Sequence, residues 1–299
     1  MAHQRSPRLA LVTCEGFPEL LPEDAGLLAM VRSRGIDARF VVWTDPTADW
    51  TTYDAVVAVG VWGYYQRYEQ FLQWLSSMHH HGIALWNTPS LIRWNSDKRY
   101  LRDLAARGVR IVPTEIIEPG SPVRLAELLD SQRWTTAVVK PAISACAYRT
   151  FRTSRADADS RQAALELILD SCAALVQPFF PEVSAEGEWT LCFFDEVLSH
   201  AVLKTPAPQE YRVQRRYGGT SVLARPPGWL VDHARAVLHA LPEPAVYARI
   251  DGVCRDREFY LMEAELIEPS WFFDTAPDAM ARYVDLLATL ATQPRAVRR

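Results

Sequence analysis

The sequence predicts an α/β lobe followed by two α+β lobes, and the changing hydrophobic pattern along the chain supports this fold class. Short apolar strands alternate with amphipathic helices through residues 1–94, which is typical of a parallel sheet covered by helices. Residues 95–180 mix strands and helices in a smaller α+β pattern. Residues 181–299 are richer in strands, with helices near residues 230–241 and 278–292.

Composition excludes several classes of protein. The chain has 299 residues and a formal net charge of −4, so nothing in its overall charge attracts nucleic acid or an anionic membrane. No apolar run approaches the roughly 20 residues that span a bilayer, and the first residues lack the apolar core of a secretory signal. The five cysteines are widely spaced and form no CxxC pair, which argues against a disulfide framework or a zinc site. We therefore expect a cytoplasmic protein, with the oligomeric state open and a homodimer as one option.

In the first lobe, strands are predicted at residues 9–13, 38–43, 55–59 and 84–86. One helix is predicted to open at Pro22 and to close at Gly35. A second helix ends in a histidine triplet at residues 79–81. Adjacent helical residues point in different directions, so this triplet indicates a solvated helix end rather than a metal site.

In the second lobe, a helix capped by Ser96 or Asp97 is predicted to run to Arg107. Further helices are predicted at residues 122–130 and 160–170, among strands at residues 114–117, 137–140, 150–153 and 174–177. In the last lobe, strands are predicted at residues 188–194, 197–204, 247–254 and 258–265.

Three carboxylates in the last lobe carry the clearest chemical pattern. Asp251 ends one apolar strand, and Glu263 and Glu265 lie on the next, where alternate side chains share a face. Converging carboxylates repel one another, and a divalent cation such as Mg²⁺ removes that repulsion. Arg249 lies two residues before Asp251 and is expected on the same face, where it can hold an anion. The alternative is an ordinary solvated strand face.

Two lysines support a phosphate site. Lys98 is predicted near the start of a helix, and Lys140 ends a buried strand, from which its ammonium can reach phosphate oxygens. The small residues that follow, 144–147, can fold their backbone N–H groups over a phosphate, although they include no glycine. For each lysine, the alternative is a surface charge.

The strand that breaks at Pro178 is a candidate adenine site. Its backbone groups around Gln177 can meet the edge of the base, and Phe179 or Phe180 can pack against the ring. Glu188 starts the next strand and can accept hydrogen bonds from ribose hydroxyls. The alternative is a strand end with core aromatic residues.

In order and spacing, these pieces resemble the ATP-grasp superfamily over roughly residues 87–270. The resemblance implies an N-terminal α/β lobe and two α+β lobes that clamp ATP. It also implies Mg²⁺ on Asp251, Glu263 and Glu265, and phosphate contacts from Lys98 and Lys140. Many members have asparagine at the last metal position, where this chain has a glutamate that also supplies oxygen. ATP and Mg²⁺ are therefore the expected cofactors.

The segment around Arg212 resembles the part of the glutamate-ligase-like branch in which an arginine contacts the γ-phosphate or the acyl phosphate. The resemblance gives this catalytic role to Arg212, and we expect Arg249 to meet the same groups. Lys204, on the preceding strand, is expected to face the nucleotide. The alternative for Arg212 is a basic surface loop, because Arg215 and Arg216 lie beside it.

A closer similarity extends over nearly the whole chain, to the subgroup that contains cycloserine-forming cyclo-ligases acting on O-ureido-D-serine. The similar segments are residues 11–15, 85–101, 138–145, 177–189, 211–219 and 262–270. Where that subgroup has Arg-Ser-Thr-Trp-Asp-Tyr, residues 59–64 read Val-Gly-Val-Trp-Gly-Tyr. The loss of a charged arginine and aspartate there indicates a specialised acceptor pocket.

A small, amino-acid-like substrate is expected to meet five residues. Trp62 lies in the departing segment, and Glu268 and Ser270 belong to the last similar segment. Glu15 and Glu19, close to the first strand with Glu23, are candidates for holding the ammonium group of the substrate. Solvated loop charges are the open alternative for these three.

The resemblance implies that ATP phosphorylates a carboxylate and that a nitrogen then attacks the acyl phosphate. If that nitrogen belongs to the same molecule, a ring closes, here O-ureido-D-serine to D-cycloserine. An intermolecular ligase joining an amino acid to an amine is one alternative, and a non-catalytic nucleotide-binding module is another. Cys146 has no histidine at motif spacing, so a packing role is favoured over a nucleophilic one.

Overall fold

In the computed structural model, which describes residues 5–293, the chain begins with a parallel sheet, as the sequence predicts. Alternate residues of its first strand pack into two different cores, one on each face, which explains why this strand is apolar throughout. The elements are β1 (Arg8–Thr13), α1 (Leu27–Ser33), β2 (Asp37–Val42), β3 (Ala55–Gly60), α2 (Tyr68–His80), β4 (Leu85–Trp86) and α3 (Pro89–Asn95), with strand order β2-β1-β3-β4.

The helix predicted to open at Pro22 is wrong at its start. Pro22–Asp24 is a separate 3-10 turn that ends at Ala25, whose ψ of 136° leaves the helical region. Gly26 then adopts a φ of 94°, a left-handed conformation that suits glycine, and α1 begins after it. The turn brings the Glu23 side chain to the wall of the cavity described below.

The second lobe contains an antiparallel sheet with strand order β5-β8-β6-β7. The two helices at residues 125–131 and 158–169 pack on this sheet, and their apolar faces meet it in a separate core. The elements are α4 (Tyr100–Ala106), β5 (Glu115–Ile117), α5 (Leu125–Ser131), β6 (Thr136–Pro141), β7 (Phe151–Ser154), α6 (Ala158–Leu169) and β8 (Ala174–Pro178).

The single helix predicted from Ser96 or Asp97 is also wrong at its start, because two helices lie here. Thr88 caps α3 by accepting a hydrogen bond from the Leu91 N–H, and α4 begins only at Tyr100. Between them, the Lys98 N–H donates to the Ala142 carbonyl oxygen at 2.8 Å. This long-range hydrogen bond fixes Lys98 in a junction rather than on a helix.

The last lobe is built on an antiparallel sheet with strand order β11-β10-β9-β12-β13. The predicted strands are confirmed here, and the short β11 adds an edge strand that was not predicted. The elements are α7 (Glu182–Ala185), β9 (Glu188–Phe194), β10 (Val197–Thr205), β11 (Thr220–Leu223), α8 (Gly228–His239), β12 (Tyr247–Arg255), β13 (Glu258–Glu265) and α9 (Pro277–Thr292).

The last helix, α9, packs against the first strand, β1. Tyr283 and Leu287 are buried in one core with Leu9 and Leu11 of β1, and that core also includes Phe194 of β9. The lobe boundaries predicted at residues 94 and 180 stay a prediction. Apolar packing continues across the boundary at residue 94, because Leu91 and Tyr100 belong to one core. No helix within residues 5–293 has both the length and the apolar character of a membrane span.

Two buried asparagines brace the end of β13 against the first lobe. The Asn87 Nδ2 donates to the Tyr247 and Leu266 carbonyl oxygens at 3.1 and 2.8 Å, and its Oδ1 accepts from the Val246 N–H at 2.7 Å. Asn95 also holds Leu266, by accepting from its N–H at 2.9 Å. These amides satisfy backbone groups at a point where strands of different lobes cannot pair with each other.

Replacing Asn87 with alanine tests this brace. We expect Asn87→Ala to lower the free energy of unfolding by at least about 2 kcal/mol, because it leaves several buried backbone groups without a hydrogen-bond partner. Urea denaturation provides the measurement. Gln66→Ala, which removes an exposed amide that bonds only its neighbour Tyr65, should change stability by less than about 0.5 kcal/mol. Equal effects of the two changes would show that the brace contributes nothing.

Candidate active site

One face of the last sheet carries a cluster of charged side chains that we call the charged layer. Cross-strand pairing assembles it, because Asp251 on β12 lies opposite Glu263 on β13, and Arg249 lies opposite Glu265. Residues directly opposite each other point to the same face, so the predicted convergence of these side chains is confirmed. The layer consists of Glu188, Lys204, Arg249, Asp251, Glu263 and Glu265.

Asp251 lies at the centre of the charged layer and is 2% exposed. Its Oδ1 accepts from the Thr190 hydroxyl at 2.6 Å, and its Oδ2 accepts from Arg249 Nη2 at 2.9 Å. Lys204 Nζ lies 3.4 Å from Asp251 Oδ2 and 2.5 Å from Glu188 Oε1. Burial opposes ionisation of Asp251, but Arg249 and Lys204 outweigh it and hold the pKa of this carboxyl below its usual value.

Burial has the opposite outcome at Glu265. The pKa of this carboxyl is raised to about 7 by burial, despite an ion pair with Arg249. The nearby Glu263 and Asp251 carboxylates raise it further. One additional positive charge placed here would therefore be strongly stabilised.

Lys98 reaches the charged layer from the junction between α3 and α4. Its Nζ lies 3.2 Å from Glu263 Oε1 and donates to the Ser144 carbonyl oxygen at 2.5 Å. The surface-charge alternative is therefore wrong for Lys98, which is only 9% exposed. The residue links the charged layer to the loop that follows β6.

That loop has an unusual backbone. Cys146, Ala147 and Arg149 all have positive φ angles, of 52°, 54° and 50°, which residues other than glycine rarely adopt. Left-handed turns of this kind can aim successive N–H groups at an anion, as the small-residue run predicts. Cys146 is exposed rather than packed, which corrects the packing expectation. Burial of its sulfur within the loop nonetheless raises the thiol pKa, so a thiolate nucleophile gains no support.

A cavity of about 410 Å³ lies over the charged layer, between all three predicted lobes. Almost every site residue predicted from the sequence lines it. Those that line it are Trp62, Lys98, Lys140, Gln177, Phe179, Phe180, Glu188, Lys204, Arg212, Arg249, Asp251, Glu263, Glu265, Glu268 and Ser270.

Glu15 and Glu19 are not brought to this cavity. Both are exposed, and Glu15 is held by the Arg67 guanidinium at 2.7 Å and by the Thr44 hydroxyl at 2.7 Å. Hydrogen bonds from these two side chains lower the pKa of Glu15 to about 2. The alternative of solvated loop charges fits both glutamates, whereas Glu23, on the 3-10 turn, lines the cavity.

The candidate adenine end of the cavity is fixed by side chains around β8. The Gln177 Nε2 donates to the Thr114 hydroxyl at 2.8 Å, so this amide is occupied within the lobe. Phe180 is 5% exposed, and the Arg255 guanidinium stacks 3.7 Å from its ring centre. Met262, which packs in the same core, lines the cavity but was not predicted.

Arg212 is restrained at the cavity wall. Glu210 accepts two hydrogen bonds from its guanidinium, at 3.1 and 2.7 Å, and Tyr217 packs 3.6 Å beneath it. The surface-loop alternative is therefore only partly right, since the side chain is half-buried and oriented. A phosphoryl group approaching Arg212 has to compete with Glu210 for the same donors.

The carboxylates of the charged layer fit the metal predicted for them as part of a shared site. Within residues 5–293, no three His, Cys, Asp or Glu side chains form a metal-binding group on their own. Mg²⁺ seldom needs one, because it is usually held by one or two carboxylates together with substrate phosphates and water. Asp251, Glu263 and Glu265 supply suitable oxygens and remain the predicted ligands.

Comparison with known proteins connects this site to a family. The family model for the N-terminal domain of D-cycloserine synthetase DcsG matches residues 9–87. The cycloserine biosynthesis protein DcsG of Streptomyces lavendulae is 32% identical over 278 residues, which cover 88% of this chain and 91% of that protein.

Solved structures give the same picture. The crystal structure of D-cycloserine synthetase DcsG matches with a TM-score of 0.84 and 30% identity, over 95% of this chain and all of that one. D-alanine–D-alanine ligase from Bacillus anthracis, complexed with ATP, matches with a TM-score of 0.70 and 14% identity, over 96% and 97% of the two chains. The ATP-grasp ligase PsnB has a TM-score of 0.68 at 11% identity, over 96% and 99% of the two chains. The resemblance predicted from the sequence is therefore confirmed, and this chain belongs to the D-cycloserine synthetase DcsG family of ligases, which has the ATP-grasp fold.

Proposed function

We propose that this protein uses MgATP to activate the carboxylate of a small amino acid and closes it into a ring, converting O-ureido-D-serine to D-cycloserine. The observation that carries the proposal is the charged layer, where four acids and two cations lie beneath a single cavity. The similarity to DcsG along most of both chains supports the substrate.

The cations around the cavity suit a triphosphate. Lys98 and Lys140 come from the second lobe, and Lys204 and Arg249 come from the last, so four positive charges approach from two sides. Fixed positive charges in a buried site stabilise phosphoryl oxygens more strongly than water does, because they need no reorganisation. Phe180 and Met262 offer an apolar surface for the base at the other end.

Asp251, Glu263 and Glu265 would hold Mg²⁺ together with the nucleotide phosphates. When bound, the ion supplies neutralisation of the charge that builds up between ATP and the carboxylate. The residues of this chain then orient the reactants. Arg249 is held by its contacts with Asp251 and Glu265, so its planar fork is fixed beside the phosphoryl group before substrate arrives.

The reaction then follows in balanced steps. A carboxylate oxygen of the substrate attacks the γ-phosphorus of ATP, ADP departs, and an acyl phosphate remains. The ureido nitrogen next to the side-chain oxygen attacks the acyl carbon, loses its proton, and expels phosphate to close a five-membered ring. Water then removes the carbamoyl group as carbon dioxide and ammonia. Holding the chain bent can lower the barrier to ring closure by roughly 7–11 kcal/mol.

The decisive experiment uses one substrate and no added amine. We expect purified protein, MgATP and O-ureido-D-serine to yield ADP and D-cycloserine, detected by mass spectrometry. The L-enantiomer serves as the control for stereochemistry. If neither enantiomer yields ADP while a pair of amino acids does, the protein is an intermolecular ligase. If no candidate yields ADP although ATP binds, the non-catalytic reading gains support.

The charged layer provides a second test. Glu263→Gln should reduce phosphate release by at least about a hundredfold, because it removes charge where the phosphoryl group is transferred. Glu258→Gln is a matched control, since Glu258 begins the same strand but lies outside the cavity. Its carboxylate pairs with Arg110 at a distance of 3.1 Å. Circular dichroism should show both variants folded. Near wild-type turnover by Glu263→Gln at saturating Mg²⁺ would reject the assignment.

Lys140 makes nucleotide binding sensitive to pH. Burial lowers the pKa of its ammonium to about 8, despite the opposing Glu263 carboxylate. The positive charge is present below this pKa and lost above it, so ATP affinity should fall by up to roughly tenfold one pH unit above it. Titration calorimetry between about pH 7 and pH 9 measures the change. Lys140→Arg keeps its charge throughout and should flatten the profile; an unchanged slope would show that Lys140 does not contact the phosphates.

A further inference from the structure

Glu268 is a buried acid that the steps above do not use. It follows β13, lines the cavity and is only 2% exposed. Its Oε2 has no hydrogen-bond partner among the described residues. By contrast, three acids of the charged layer have cationic partners. A lysine nitrogen lies within 3.4 Å of the carboxylate of Asp251, Glu188 and Glu263, and Arg249 lies 2.9 Å from Asp251.

An unpaired carboxylate in such a place is unstable as an anion. Burial raises the pKa of Glu268 well above its usual value, and the nearby Glu265 carboxylate raises it further. Neither Lys98 nor Arg249 forms an ion pair with it, since Lys98 is paired with Glu263, and Arg249 is paired with Asp251 and Glu265. A cation arriving in the cavity would supply the missing partner.

The position of Glu268 is fixed by the backbone that precedes it. The two asparagines hold Leu266 through its carbonyl oxygen and its N–H, and the Tyr247 hydroxyl donates to the Ile267 carbonyl oxygen at 3.0 Å. The backbone that leads to Glu268 is therefore held in place, and burial confines its side chain. A rigid, unpaired acid is suited to selecting a ligand of defined shape.

A fixed cation borders the segment that carries Glu268. Arg249 Nη1 donates to the Ser270 carbonyl oxygen at 3.4 Å, so its guanidinium borders the segment that carries Glu268. The site thus offers a guanidinium and an unpaired carboxylate, with Trp62, Tyr64 and Phe272 as the aromatic wall. This arrangement of charges complements a small zwitterion, whose carboxylate and ammonium are separated by one carbon.

We propose that the Glu268 carboxylate binds the α-ammonium group of the amino-acid substrate and so determines its specificity. This inference rests on the proposed function, because it assumes that the substrate's own carboxylate is directed to Arg249. Glu268 is distinct from Glu15 and Glu19, which lie on the exposed loop after β1. The ligand class is an α-amino acid with a free amino group.

A two-by-two comparison tests the contact directly. Wild-type protein and Glu268→Gln are each assayed for ADP formation with O-ureido-D-serine and with its des-amino analogue, 3-(ureidooxy)propanoic acid. For the wild type, removing the ammonium should raise KM by roughly tenfold to a hundredfold, as expected for a hydrogen bond between charged groups. For Glu268→Gln, KM for O-ureido-D-serine should rise similarly, and the two substrates should become nearly equivalent.

The outcomes separate a contact from a structural role. If Glu268→Gln still distinguishes the two substrates as the wild type does, Glu268 does not bind the ammonium and the inference is overturned. ATP affinity should be unchanged in Glu268→Gln and in the control Glu115→Gln, whose glutamate is half-buried on β5 outside the cavity. Should the glutamine variant fail to fold, Glu268→Asp is used, which keeps the charge but withdraws it by one methylene.

Failure of the proposed function is a different result. In that case the wild type forms no ADP with O-ureido-D-serine. The same comparison is then made with the amino acid that the wild type does use and with its des-amino analogue. Loss of discrimination in Glu268→Gln supports the ammonium contact for that substrate, and retained discrimination refutes it.

Discussion

Mutual neutralisation within the charged layer is the constraint on which the rest of the site depends. Carboxylates buried beneath a cavity remain ionised only where cations contact them, and each cation comes from a different part of the chain. Lys204 comes from β10, Arg249 from β12 and Lys98 from the junction between α3 and α4. All four carboxylates of the layer are therefore paired with cations only when the strands and the junction are both in place.

The asparagine brace explains how the junction comes to lie there. Asn87 precedes α3 and Asn95 is its last residue, and both bind the backbone around Leu266, so the short helix acts as a spacer between the first lobe and the end of β13. Lys98 follows this spacer by three residues. A polar brace can tolerate small movements of the lobes while keeping its buried groups paired, because side-chain amides both donate and accept.

Local patterns in the sequence were sufficient to predict the parts of the site that lie on regular strands. Alternation along β13 places Glu263 and Glu265 on one face, and a bulge between Asp251 and Gly252 brings Asp251 opposite Glu263 rather than Met262. Lys98 was assigned to a helix start, since its hydrogen bond to Ala142 is not a local property. From the sequence Glu15 is a reasonable substrate candidate, because its partner Arg67 lies 52 residues away along the chain and no local pattern links the two.

Charge placement in the cavity also bears on stereochemistry. In the proposed complex, Arg249 and Glu268 anchor two of the groups on the α-carbon of the substrate, and the aromatic wall lies beside the third. Two charged anchors fix the α-carbon but leave the side chain free to turn back towards the activated carboxyl. Inverting the α-carbon would exchange the positions of the side chain and the hydrogen, so the ureido nitrogen would approach the acyl carbon from the opposite face. The two enantiomers would therefore differ in how the cavity wall holds the side chain for ring closure, rather than in the anchoring of the α-carbon.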